Sequence, residues 1–212
     1  MKYLLLENIL KKGAKELGFN LTFKQLQLFQ DYNELLLFWN KAINLTTIVD
    51  EEEVAQKHFV DSLAYIKAFP PFFAELKFLD IGSGAGFPGV PLKIVFPDLK
   101  ICLMEPSFKR TSFLHTLNSR LKLDVRIIEE KAEKWLKQNQ EYFDVMMMRA
   151  VGQIDHFIDQ IFDYLNPNGR IIISTGPGER LFNNKKGRDV ETISFLLPLT
   201  TIRRNLLIIH KS

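Results

Sequence analysis

Residues 79–92 read LDIGSGAGFPGVPL, and this stretch limits the fold more tightly than any other. An apolar run carrying one acid, Asp80, breaks into glycines at 82, 84, 86 and 89. Glycine inside regular structure costs about 0.5–1 kcal/mol relative to alanine. So dense a cluster therefore marks a backbone that turns sharply or lies flat against a ligand. Placed directly behind a buried strand, it reads as the first strand-to-helix turn of an open parallel sheet, where such sheets bind ligands.

The pattern on either side agrees. After residue 76, short apolar runs alternate with helical segments: KFLDI (77–81), KICLM (100–104), DVRII (124–128), FDVMMM (143–148) and RIIIS (170–174). Helix-like stretches lie near 89–96, 107–121, 131–138 and 153–165. Strands alternating with helices predict an α/β fold, with a mostly parallel sheet covered on both faces. Two further runs, ISFLLPL (193–199) and NLLIIH (205–210), are close enough to form an antiparallel hairpin and bring the strand count to seven.

The first 70 residues are helical by period. Leu5, Leu6, Ile9, Leu10 and Leu17 share a face, and Gly18 fits a helix C-cap. Thr22 with Gln25 spells a capping box, and Leu26, Phe29, Leu36 and Trp39 continue on one side of a second helix. Asp50 precedes an acidic first turn, Glu51 to Glu53, of a third helix ended by Pro70-Pro71. The expected organisation is a helical extension, residues 1–70, packed on a single compact α/β unit, residues 71–212.

Hydrophobic residues make up 46% of the 212 and charged residues 25%, a soluble globular balance. A single cysteine, Cys102, excludes an internal disulfide framework and sits in an apolar run as a buried thiol. Glu7 and Lys11-Lys12 interrupt the apolar start with no small-residue cleavage site after it, and no run approaches membrane-helix length. A cytoplasmic monomer is expected. The net charge of +3 permits a nucleic-acid partner as a local patch. The four histidines, at 58, 115, 156 and 210, lack metal-ligand spacing, so no metal is expected.

The ligand follows by comparison of glycine patterns. A phosphate-binding loop needs Lys and Ser/Thr behind the glycines, and neither is present. The dinucleotide pattern G-x-G-x-x-G fails from Gly82, because Phe87 fills its last position, and fits from Gly84 only two residues too far from the strand. Asp80-x-Gly82-x-Gly84 matches the acid-plus-glycine pattern of S-adenosylmethionine sites. Glu105 ends the second strand, where a carboxylate accepts from ribose hydroxyls; nicotinamide and S-adenosylmethionine folds share that feature. Ala132 and Glu133 follow the third strand, where an adenine ring would lie. Arg149 ends the fourth, placed to pair with a ligand carboxylate or a phosphate, or to form a structural salt bridge. A glycine-rich turn without a ligand is the plainer alternative.

NLTTI, KHFVDSL, DIGSGAGFPGVPL, KR..FL (Lys109 to Leu114), AE, RAV and RRNLLIIHK occur here in one order. The chain thereby resembles the RsmG (GidB) family over nearly its whole length. That resemblance implies a Rossmann-like class I methyltransferase fold and methyl transfer from S-adenosylmethionine to N7 of one guanine in bacterial 16S ribosomal RNA, or in the small-subunit particle. It also implies cofactor contacts from Asp80, Gly82, Gly84, Phe87, Glu105, Ala132, Glu133 and Arg149, with Arg149 bordering the methyl-transfer pocket. Asn44 and His58 match family positions that shape the cleft. Lys131, Met148 and Thr175 depart from the family's Arg, Ser and Lys, and Thr175 removes a cation that Lys185, Lys186 and Arg188 stand near enough in sequence to replace.

Guanine N7 offers a lone pair and carries no proton. Its methylation needs no general base, which suits a sequence with no nucleophilic triad or carboxylate pair. N7 lies in the deep major groove of an RNA helix, so the target must be unpaired or extruded. Lys109, Arg110, Arg120, Lys122, Arg203 and Arg204 are the expected phosphate contacts, and Arg149→Ala is expected to weaken cofactor or RNA binding. The competing readings are another methyltransferase, a nicotinamide oxidoreductase, and a binding module that has lost its chemistry.

Overall fold

Strand pairing in the computed structural model, which describes residues 4–149, 155–176 and 187–211, builds one sheet of seven strands. Its order is β3-β2-β1-β4-β5-β7-β6, with β1 (Lys77–Ile81), β2 (Lys100–Met104), β3 (Arg126–Ile128), β4 (Phe143–Arg149), β5 (Leu165–Thr175), β6 (Asp189–Leu196) and β7 (Arg203–His210). β1 to β5 run parallel, while β7 is antiparallel to both β5 and β6. The chain reverses direction across the sheet between β1 and β4, and the glycine turn leaves β1 at that switch point.

Alternation along the strands splits the core. Phe78, Leu103, Val145, Met147 and Ile172 point to one face, with α5 (Gly89–Val95) and α6 (Phe108–Leu121). Leu79, Met104, Met146, Met148 and Ile173 point to the other, with α7 (Ala132–Asn139) and α8 (Asp155–Ile161). Both faces are apolar because parallel strands are buried on both sides.

The N-terminal helices join the first face, so residues 4–70 share a continuous core with the sheet rather than owning one. α1 (Leu4–Glu16) ends at Gly18, and α2 (Phe23–Ile43) starts at Thr22 with both bonds of the expected capping box. α3 (Glu51–Val54) is capped by Asp50 and runs without a break into a π-wound stretch (Ala55–Val60), α4 (Asp61–Leu63) and a 3-10 turn (Ala64–Ala68). Among the described residues no helix is long and apolar enough to cross a membrane.

Several strand boundaries differ from the periodicity, three of them with a clear local cause. β3 starts at 126 rather than 124, because Asp124 is left-handed (φ 54) and the Asn118 side chain occupies both backbone groups of Val125. β5 starts at 165 rather than 170, because Leu165 pairs with Phe143 before a register shift. β6 covers 189–196 rather than 193–199: as an edge strand it needs no apolar outer face, and Leu197 begins the turn to β7.

Candidate functional site

The turn after β1 is built on β2. Backbone N–H groups of Gly82 and Ser83 both donate to the Met104 carbonyl, at 2.8 and 3.1 Å. Gly82 has φ +71, and a Cβ added there would meet nothing within 4 Å. Its backbone therefore faces open space in a conformation that disfavours any side chain. Glu105, 3% exposed, accepts from Gly84 N at 2.9 Å and from Ser107 N at 3.0 Å. This acid holds the glycine turn against β2, and each oxygen keeps one lone pair for a further donor.

Beside the turn lies a cavity of about 230 Å³, lined by Ile81, Gly82, Met104, Pro106, Ala132, Glu133 and others. It sits where the carboxyl ends of β1 to β4 meet the start of α7, and its walls are mainly apolar. A flat, weakly polar ring fits such a slot. Four of the expected contacts, Gly82, Glu105, Ala132 and Glu133, thus gather at one edge.

Asp80 is the one acid in the core of β1, 1% exposed, on the face toward α5. Its Oδ2 accepts from Gly89 N at 2.9 Å, while Oδ1 has no partner among the described residues. Gly89 must be glycine: a Cβ would stand 2.5 Å from Leu103 Cδ2 and 2.7 Å from Asp80 Oδ2. Burial pushes the Asp80 carboxyl up to about 7, against the lowering effect of the Gly89 N–H. A bare glycine shelf, an apolar slot and a buried acceptor lacking a donor together fit an adenosyl cofactor with a polar tail.

Phe87 stands apart from the slot. It is 8% exposed and stacks on His58 (centroids 4.5 Å apart, 17° between planes) and on Tyr32 (5.5 Å, 18°). The ring thus locks the glycine turn to α2 and to the π-wound stretch. Tyr32 adds a hydrogen bond from its hydroxyl to the Ala85 carbonyl.

Arg149 and Arg204 meet at one acid: both pair with Asp61, at 3.0 and 2.9 Å. For Arg149 this is the structural salt bridge that stands beside a ligand contact among its expected roles, and for Arg204, expected at RNA phosphates, it is a partner within the chain. Arg149 also donates to the Lys57 carbonyl at 2.5 Å and lies 3.4 Å from His58 Nδ1. Asp61 is 3% exposed, and a carboxylate buried that far is costly without charged, hydrogen-bonding partners. Sequence reasoning missed it although KHFVDSL carries the signal: an acid inside an otherwise apolar helical run. Tyr65 completes the edge by donating to the Met148 carbonyl at 2.6 Å.

His58 is fixed as one tautomer. Arginine only donates, so Nδ1 facing Arg149 is the acceptor, and Nε2–H donates to Thr46 Oγ1 at 2.7 Å. Burial, with Arg149 next, lowers its pKa from 6.5 to about 3. Between pH 3 and 6.5 the unfolded chain binds this proton and the native one does not, so stability falls as pH falls. Asp80 acts oppositely: between 3.8 and 7 the native state holds the extra proton, so stability falls as pH rises. The two slopes cancel from about pH 4 to 6.5, at about 1.4 kcal/mol per pH unit each. Asp80→Asn removes one of them. Its stability, from urea melts, will climb with pH across that window relative to wild type; parallel curves would refute the opposition.

The basic residues divide between two edges. Lys109 and Arg110 open α6 beside Glu105, with Arg110 3.8 Å from that carboxylate, and the exposed Arg203 starts β7 at the same edge. Arg120 and Lys122 close α6 at the opposite edge, so they do not surround the slot as expected. Asn44 is the left-handed C-cap of α2. Thr175 is buried at the end of β5 opposite Asn205, in the β5–β7 ladder. Arg188 pairs with Asp159, and Lys185 and Lys186 lie outside the described residues.

Comparison with known proteins adds an independent line. The family described as rRNA small subunit methyltransferase G (GidB) matches residues 25–192. A protein of Alkaliphilus metalliredigens named ribosomal RNA small subunit methyltransferase G is 36% identical over 96% of this chain and 89% of its own length. One of the same name from Acetivibrio thermocellus is 35% identical over 99% of this chain and 90% of its own. Among solved structures, the T. thermophilus 16S rRNA N2 methyltransferase RsmC, in complex with AdoMet and guanosine, superimposes with a TM-score of 0.55 at 16% identity, over 73% of this chain and 42% of that one. That last likeness speaks for the fold.

Proposed function

The chain belongs to the rRNA small subunit methyltransferase G family of S-adenosylmethionine-dependent enzymes, and from that premise we propose that it methylates N7 of a guanine in 16S ribosomal RNA. The observation that carries the reading is the bare Gly82 backbone beside an apolar slot, with Glu105 held behind the turn. In this reading Gly82 and Gly84 lie under the cofactor and Glu105 accepts from its ribose. Pro106, Ala132 and Glu133 flank its adenine, and the free Oδ1 of Asp80 answers a donor on its amino-acid end. Phe87 contributes indirectly, by fixing the turn, and Arg149 positions the helical extension against the sheet edge.

When bound, S-adenosylmethionine would supply an electrophilic methyl carbon, its S–CH3 bond breaking as the N7–CH3 bond forms and S-adenosylhomocysteine leaves as a neutral thioether. Guanine N7 offers a lone pair and carries no proton, so the residues at this edge would have no proton to remove. Their task is placement: holding the two reactants in line accounts for up to about 7–11 kcal/mol of the barrier. The helical extension meets this edge through Asp61, Tyr65 and His58, and that joint holds the glycine turn in place. His58 stays neutral in that joint, stacked on Phe87 and facing Arg149.

Lys109, Arg110 and Arg203 hold phosphates of the RNA around the target base. Lys109→Ala will weaken RNA binding and flatten its dependence on log salt by about 0.7–1, with cofactor affinity unchanged. An unchanged salt slope removes Lys109 from the interface. The reading as a whole is tested by mass spectrometry of digested 16S rRNA from cells with and without the gene. Loss of one 7-methylguanine, restored in vitro by the purified protein and S-adenosylmethionine, is the expected result; an unchanged 7-methylguanine content refutes it.

A further inference from the structure

Among the most exposed phenylalanines of the described residues are Phe23 (70%), Phe38 (70%), Phe72 (90%) and Phe108 (71%). Phe23 opens α2 beside the carbonyls that end α5, and Phe72 precedes β1, so both belong to the edge away from the slot. Phe38 lies on α2. Phe108 is different: it is the first residue of α6, three past Glu105, at the edge that carries the glycine turn.

Its backbone is pinned while its ring is free. The Phe108 carbonyl accepts from Thr111 Oγ1 at 3.0 Å and from Ser112 Oγ at 2.8 Å. Thr111 is itself tied to Glu129 at 2.6 Å, anchoring the first turn of α6 to the end of β3. The ring makes no aromatic pair among the described residues. Burying a phenylalanine is worth about 1.5–3 kcal/mol, so the fold forgoes that gain at a position it holds rigidly. The next two residues, Lys109 and Arg110, are exposed cations.

An aromatic face next to cations is the arrangement that binds single-stranded nucleic acid, the ring taking a base and the cations its phosphates. A guanine whose N7 is to be reached must leave its helix or already be unpaired, which leaves neighbouring bases with unstacked faces. We infer that Phe108 is a stacking platform for an unpaired base of the RNA substrate beside the target guanine, with Lys109 and Arg110 on the adjoining phosphates. This rests on the reading of the chain as an rRNA methyltransferase, and it adds a substrate contact that the cofactor site does not supply.

The test is equilibrium binding of a single-stranded oligoribonucleotide carrying 2-aminopurine, whose fluorescence is quenched by stacking, to the full chain with Phe108→Ala, Phe108→Leu or Phe108→Trp. A stacked base is worth about 1–3 kcal/mol by alanine substitution, or about 5- to 150-fold in affinity. Alanine and leucine should both weaken binding in that range and lose the quench, while tryptophan retains both. S-adenosylmethionine affinity and the melting temperature should not move, because the ring is in solvent. Leucine binding as tightly as wild type would reduce the contact to apolar bulk and overturn the platform, as would unaltered binding by the alanine variant. A change of oligomeric state in place of RNA affinity also overturns it, by assigning the ring to a protein partner. Wild-type protein that leaves 16S rRNA unmethylated would remove the functional reading, and the oligonucleotide arm would still decide the platform by itself.

Discussion

Asp61→Ala will lower the melting temperature by about 6–20 °C. Removing the acid from a buried ion cluster costs about 3–5 kcal/mol, and a chain of 150–250 residues loses about 2–4 °C per kcal/mol. The size follows from what remains: two guanidinium groups, on Arg149 and Arg204, each about one-fifth exposed, with no anion between them. Arg149 ends β4 and Arg204 is the second residue of β7, whereas Asp61 lies in the helical extension, so the cluster is a joint between two parts of the chain. Asp61→Asn keeps an oxygen acceptor and should fall between alanine and wild type. Replacing all three by apolar residues of similar size should restore most of the stability. A midpoint for Asp61→Ala within about 2 °C of wild type would mean that the guanidinium groups reach water and the joint holds nothing.

Gly82→Ala and Gly89→Ala, seven residues apart, should fail in opposite ways. At Gly82 the added methyl meets no atom, and its cost to folding is the left-handed φ of +71. That amounts to about 1–2 kcal/mol, a few degrees of melting temperature. The methyl projects from the bare backbone beside the slot, so S-adenosylmethionine affinity, read by isothermal titration, should drop by more than about tenfold, or 1.4 kcal/mol. Gly89→Ala instead drives a carbon against Leu103 and Asp80, both buried. Overpacking of that kind costs about 1–3 kcal/mol or more, and here it also threatens the Asp80–Gly89 hydrogen bond that holds α5 on β1. Its melting temperature should fall further than that of Gly82→Ala. If Gly82→Ala binds the cofactor as wild type does, the turn is not the shelf proposed here.

The two glycines show where the sequence could be read and where it could not. Both appear in the same dense cluster, which located the switch point of the sheet within a few residues. Their separate duties were not visible, because one depends on empty space and the other on the Leu103 and Asp80 side chains of neighbouring strands. Phe87 and Arg149 are harder cases. The family resemblance implied a cofactor contact for Phe87, and the strand-end position of Arg149 left a ligand contact and a structural salt bridge both open; Phe87 is sandwiched by His58 and Tyr32, and Arg149 pairs with Asp61. All three partners on the helical extension are 29 to 88 residues away in sequence.

By itself the sequence determined whatever repeats along the chain: buried strands, the helices between them, the caps at Thr22 and Asp50, and the glycine turn with Asp80 and Glu105 on either side. Those are local, since period, capping and φ preference act over a few residues. Only the tertiary structure decided which charges meet. A guanidinium binds whichever carboxylate the fold brings within about 3 Å under low dielectric, and that choice gave Arg149 and Arg204 to Asp61, left Lys109 and Arg203 at the rim, and carried Arg120 and Lys122 to the far edge.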